Sequence, residues 1–187
     1  MKKLFILLFL VQYSFIFAQK DCEFTTNVTD SLGTYKSTKE YIMHERFFGG
    51  SEKSLFFSLI NNGEFPSLKV QLIQKNSDFI PVTCFDESSK VFVQLENGKI
   101  ITLLGANQSD CGDSVVVENK NCRILTGYFL FMKDTFEELK NSPISILRIK
   151  YGTETTDYII KEELISEIDK INYQPSHYFI DYLKCVE

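Results

Sequence analysis

Five cysteines, two histidines and a few adjacent carboxylates are the residues of this chain whose types could do chemistry. Cys22, Cys84, Cys111, Cys122 and Cys185 include no Cys-x-x-Cys pair, and His44 and His177 are far apart in sequence, so the clustered ligands of a zinc site are missing. No Gly-x-Ser-x-Gly is present to mark a hydrolase nucleophile. His44 falls in YIMHERFF, which reads as a strand, and His177 in the first turn of a last helix. Glu137-Glu138 and Glu162-Glu163 fall in the first turns of predicted helices, where carboxylates favour the dipole without any acid–base role. The loop NQSDCGDS gathers Asn107, Asp110 and Asp113 around Gly112; its spacing is not that of an EF-hand, and turn chemistry accounts for it. No catalytic, cofactor-binding or metal-ligating residue is therefore assigned, and no cofactor is called for. The cysteines remain, and their use depends on where the chain goes.

The chain opens MKKLFILLFLVQYSFIFAQKDCEF. Lys2 and Lys3 are followed by a run from Leu4 to Phe17 that is apolar except for Gln12, Tyr13 and Ser14, then by Ala18 and the polar Gln19-Lys20-Asp21. The run is shorter than the roughly 20 residues that cross a bilayer. A basic start, a short apolar middle and a small residue before a polar stretch predict a cleavable signal over 1–18 and export to the periplasm or beyond. Cys22 stands too far from Ala18 for a lipoprotein. Exported cysteines form disulfides by default, and five leave one unpaired.

The ending Phe-Ala-Gln in SFIFAQK resembles the signals of many exported Bacteroidota proteins. The order of features after it is similar to that of small uncharacterised exported proteins of that phylum: a Cys, a hairpin, a Cys, a short helix and a C-terminal helix with Cys. The resemblance implies an envelope or secreted location and brings no activity. Asp30-Ser31-Leu32 and Asp113-Ser114-Val115 also resemble the O-glycosylation acceptor pattern of that phylum.

Taking away residues 1–18 leaves 169 of 187 residues, enough for one domain, 19–187, with a sizeable core. It also takes two basic residues and moves the net charge from −5 to −7. An acidic chain without a Lys/Arg cluster repels phosphate backbones, which excludes nucleic acid as a partner. Trp is absent, while 17 Phe and 9 Tyr sit mostly in apolar runs and read as core.

Two Asn-Gly dipeptides divide SLFFSLINNGEFPSLKVQLI and KVFVQLENGKIITLL, the pattern of two hairpins. A two-residue turn at Asn97-Gly98, with both residues at positive φ, pairs Glu96 with Lys99. Val91, Val93 and Leu95 then share a face with Ile100 and Leu104, and Phe92 shares the other with Ile101 and Leu103. Both faces are apolar, so the hairpin should be covered on both sides. The same register sets Cys84 opposite Cys111 at the open end, where non-hydrogen-bonded partners come close enough for a disulfide. Cys111–Cys122, in a shorter loop, is the runner-up. Cys122 otherwise pairs with Cys22 or Cys185, or stays free in the core.

Further strands are predicted at 40–48, 114–118, 123–132, 144–151 and 156–160, with ILTGYFLFM central and buried on both faces. Asp134 should cap a short helix over DTFEELKNS, with Phe136 and Leu139 inward and Pro143 ending it. KEELISEIDKI repeats Leu164, Ile168 and Ile171 at helical spacing, and SHYFIDYLKCV continues as a second helix with Phe179, Leu183 and Val186 on one face. The fold class is α+β: a mainly antiparallel sheet or sandwich with one inserted helix and C-terminal helices. The function expected is an exported, non-catalytic domain, binding or structural. It would have an envelope or extracellular partner and no stable membrane span after cleavage. The rivals are a secreted hydrolase-like enzyme, its site assembled from distant residues, and a carbohydrate-binding module.

Overall fold

A computed structural model describes residues 20–31, 33–63, 65–107, 109–132 and 135–187. The expected signal, residues 1–18, and the expected cap Asp134 lie outside the described residues. Among the described residues no helix is long and apolar enough to cross a membrane.

The described residues form thirteen strands: β1 (Phe24–Asp30), β2 (Gly33–Thr38), β3 (Tyr41–Phe48), β4 (Ser51–Asn61), β5 (Pro66–Asn76), β6 (Lys90–Leu95), β7 (Ile100–Gly105), β8 (Asp113–Val117), β9 (Lys120–Leu130), β10 (Ile144–Lys150), β11 (Thr155–Ile159), β12 (Leu164–Ile165) and β13 (Asn172–Tyr173). Every pairing is antiparallel. The first eleven make one sheet in the order β1-β2-β4-β5-β9-β7-β6-β10-β11, with β3 also on β4 and β8 also on β9. Two long strands thus serve two neighbours each along one edge, besides β5 on the other. β4 gives Ile60 and Asn61 to β2 and its other half to β3, while β9 gives Phe129 and Leu130 to β7 and Lys120–Ile124 to β8.

Alternation dictates the core. Leu55, Phe57 and Leu59 of β4 face Leu72, Val70 and Leu68 of β5, which face Leu125, Gly127 and Phe129 of β9. Val91 and Val93 of β6 continue the inward face with Leu103 and Ile101 of β7 and with Ile149 and Leu147 of β10. All these side chains join one buried cluster, so the sheet is curled about a single core. It stays open, since β3 and β11 share no ladder. Across that gap the His44 ring meets Tyr158 edge-on at 5.3 Å, and Lys53 Nζ lies 5.4 Å from the Tyr158 ring. Helix α1 (Phe136–Asn141), stopped by Pro143, and helix α2 (Tyr178–Tyr182) meet the core through Leu139 and through Tyr178, Phe179 and Leu183. Phe131 bridges them, 4.9 Å from Phe136 and 6.0 Å from Phe179.

Four expectations need correction. The Asn97-Gly98 turn is a three-residue loop: the Leu95 amide donates to Lys99 O, the Gly98 amide donates to Leu95 O, and only Gly98 takes a positive φ, of 85°. Gln94 therefore faces Ile100 and Val91 faces Leu103, one residue from the expected pairing. A one-residue slip exchanges the faces. Ile101 and Leu103 are inside, while Ile100 and Leu104 are exposed, so the hairpin is covered on one side only. The central strand β9 is likewise one-sided, with Phe129 buried and Tyr128 and Leu130 exposed.

The helix expected over KEELISEIDKI is absent. β12 and β13 form a small hairpin there, and Ile165, Ile168 and Ile171 are exposed. Ser166 explains the difference. Its hydroxyl accepts from the Ile168 and Asp169 amides and donates to Glu45 Oε1, and the Asp169 carboxylate accepts from the Ile171 amide. Such local side-chain bonds offer the backbone a turn in place of a helix.

Candidate functional site

Cys84 and Cys111 form a disulfide, and so do Cys22 and Cys185. Cys122 is free and buried in β9 opposite Val115, so the runner-up pair Cys111–Cys122 is not formed. The turn register alone does not align Cys84 with Cys111. Ser89 O still accepts from the Gly105 amide in the hairpin register, but Phe85 and Asp110 exchange both backbone bonds, at 2.7 and 3.0 Å, one residue shifted. The 106–109 side carries one residue more than the 86–88 side, and that extra residue restores the alignment. Cys84 and Cys111 are then the non-hydrogen-bonded neighbours of a hydrogen-bonded pair, the position where side chains approach most closely.

The polar candidates take structural positions. Asp110 accepts from the Gly112 amide through Oδ1 and from the Thr126 amide through Oδ2. Gly112, with φ of 74°, sits where a Cβ would lie 2.6 Å from Ile124 O. Asp113 opens β8, and Asn107 lies in the preceding connection. Among the described residues no group of three His, Cys, Asp or Glu is placed to hold a metal ion. His44 is half-buried on β3, and burial lowers its pKa. Ser176 and His177 come within 3.0 Å, but Ser176 is 3% exposed and out of reach of a substrate. Glu137 and Glu138 occupy the first turn of α1, whereas Glu162 and Glu163 are exposed beside β12 with no helix around them. Ser31 is exposed in the β1–β2 turn, and Ser114 is exposed on β8.

A pocket of about 240 Å³ opens instead among tyrosines that the sequence reading had placed in the core. Four segments build it: Lys20 and Glu23 before β1, the β2–β3 corner from Thr38 to Tyr41, Ile171–Tyr173 at β13, and Tyr178 with Tyr182 on α2. Tyr41 is the hub, its ring 4.9 Å from Tyr173, 5.2 Å from Tyr178 and 5.3 Å from Tyr182. The spacing of Tyr178 and Tyr182, one helical turn, puts both on one face of α2, and the Gln174 amide donating to the Tyr41 hydroxyl fixes the incoming chain. The Cys22–Cys185 bridge holds the first segment to the end of the last helix.

Charges around the pocket are matched. Lys20 donates to Gln174 Oε1 and forms an ion pair with Asp181 Oδ2, both at 2.8 Å. Lys39 pairs with Glu23 at 3.1 Å, and Lys69 with Glu40 at 2.8 Å. The Tyr173 hydroxyl donates to Asp169. The Tyr178 hydroxyl is buried beside Thr38 without a well-formed hydrogen bond. Burial, first of all, raises the pKa of all four tyrosines, that of Tyr41 to about 12. Asp181 adds to the rise at Tyr41 and Tyr182, and Glu23 at Tyr182. The phenols are thus held protonated, with four carboxylates (Glu23, Glu40, Asp169 and Asp181) around them to three lysines (Lys20, Lys39 and Lys69). The sequence signal that could have found this site is Tyr173, Tyr178 and Tyr182 closing the chain within ten residues, next to a cysteine.

No protein-family model matches the chain, and neither a curated protein nor a solved structure matches it.

Proposed function

We propose that this chain is an exported, non-catalytic domain of the cell envelope or the exterior that binds a small ligand in the tyrosine-lined pocket. The observation that carries the reading is the pocket itself: a concavity walled by four tyrosines, with its lysines and glutamates held in ion pairs, has the form of a binding site. Two disulfides are compatible with an oxidising compartment. The same rings could stack on a sugar, which keeps a carbohydrate-binding role as the second reading.

Ring-labelled tyrosine NMR on the disulfide-intact protein tests it. A panel of small amines, polyols and carboxylates should contain a member that moves Tyr41, Tyr173 and Tyr182 together and is recovered unchanged. A panel member consumed on standing with the protein would point to the secreted enzyme, and shifts confined to other surfaces would remove the pocket from the account.

A further inference from the structure

The tyrosine pocket already holds one cation, and its chemistry suits another. Lys20 Nζ stands 6.0 Å from the centroid of the Tyr182 ring, fixed by Asp181 and Gln174. An ammonium over a tyrosine face is attracted by the ring quadrupole, more strongly where water is excluded. Tyr41, Tyr173, Tyr178 and Tyr182 turn rings toward the same 240 Å³ space, and Tyr178 is 1% exposed. An anion has nothing to meet there, because Lys20 and Lys39 are both spent on carboxylates. A sugar needs free donors and acceptors for its hydroxyls. The Tyr41 hydroxyl accepts from the Gln174 amide, the Tyr173 hydroxyl donates to Asp169, and Gln174, Glu23 and Glu40 each take a lysine, so part of the capacity a sugar needs is already used. A ligand that makes no hydrogen bonds asks only for ring faces and surroundings that are not cationic on balance, and the pocket supplies both.

We infer that the pocket between the β2–β3 corner, β13 and α2 is a site for an alkylated ammonium group, a quaternary one best of all. This rests on the proposed binding role and names the ligand class of the same pocket. A trimethylammonium group has no N–H to satisfy, spreads its charge over methyl groups that pack on tyrosine rings, and is of a size to enter the space. Asp181 and Glu23 offset Lys20 and Lys39, while Asp169, held by the neutral Tyr173 hydroxyl and Ile171 amide, supplies the sign. Lys20 is then both a wall of the site and its internal competitor.

Choline and its neutral carbon isostere 3,3-dimethyl-1-butanol have the same shape and differ in charge. Titrated into the disulfide-intact protein and followed by calorimetry and tyrosine NMR, choline should bind at least about tenfold more tightly than the alcohol. Tyr182→Phe should keep that preference, Tyr182→Ala should lose most of it, and Lys20→Met should strengthen choline binding. Equal affinity for choline and the alcohol overturns the inference. Binding of methyl glucoside without choline overturns it too, while leaving the binding role in place. Failure of all three probes to move the pocket tyrosines overturns both.

Discussion

Two aromatic clusters, each beside its own disulfide, do different work with nearly the same residues. Next to Cys84–Cys111, Phe85 stacks on Tyr151 at 5.0 Å and meets Phe129 edge-on at 5.3 Å, while the Tyr151 and Tyr158 hydroxyls bond each other at 2.8 Å. Every member is at most 2% exposed. Next to Cys22–Cys185, the Tyr41 cluster leaves three of its four rings half-open. The first cluster spends its rings and hydroxyls on itself, so it can only stabilise. The second keeps ring surface for something else. What separates them is the chain behind each. Gly127 lacks the side chain that would collide with Phe85 and so lets the first cluster close flat on the sheet, whereas the second stands where four separate segments meet.

The comparison can be broken at either bridge. By loop entropy, replacing Cys22 and Cys185 with Ser should cost about 5 kcal/mol, because the bridge spans 163 residues. Chemical denaturation of the oxidised variant measures this, and a loss below that of the shorter bridge would mean that the chain ends are held by packing alone. In the sealed cluster, Phe129→Ala should cost about 4 kcal/mol and shift the denaturation midpoint accordingly; an unchanged midpoint would place β9 on the surface. Replacing Cys84 and Cys111 with Ser, a closure of 27 residues, should cost about 3.5 kcal/mol.

Finer tests separate closed from open. Gly127→Ala sets a Cβ 2.5 Å from Phe85 Cδ2 and should destabilise by about 2 kcal/mol, seen as a lower melting temperature. The smallest difference is alkaline. Burial pushes Tyr158 and Tyr41 up to about 12 from an ordinary 10. A group raised in the folded state contributes stability below pH 10 that is lost as pH rises toward 12, at up to about 1.4 kcal/mol per pH unit for each tyrosine. Tyr158→Phe should flatten that alkaline limb more than Tyr41→Phe, because Tyr41 is nearer to solvent. Equilibrium unfolding at pH 9, 10 and 11 reads the difference.

Much of the sheet was legible because alternation is a local signal. YIMHERFF, KVFVQL and ISILRIK declare their strands, and β1 and β2 escaped because TTNVTD and GTYKST carry few apolar residues to alternate. Covering was not legible. An apolar outer face such as Ile100 with Leu104 looks like a second core until the other layers are placed. The false helix at 161–171 had the right spacing, but Ser166 and Asp169 bond their own backbone and Glu45 holds the turn from a distant strand. The tyrosine pocket was hidden for the same reason, since residues from Lys20 to Tyr182 meet only after the sheet has curled.

The Cys22–Cys185 bridge also dictates an order of assembly. If the chain is exported N-terminus first, as proposed, Cys22 meets an oxidant before Cys185 does, and Cys84, Cys111 and Cys122 arrive in between. Five thiols admit about fifteen two-bridge arrangements, of which the fold uses one. Cys122 leaves the competition once β9 is laid between β5 and β8, because its sulfur is then sealed from exchange. The native bond between the ends therefore has to wait for the whole stretch from Cys22 to Cys185. Any earlier partner of Cys22 must be exchanged away by thiol attack before the tyrosine pocket acquires its fourth wall.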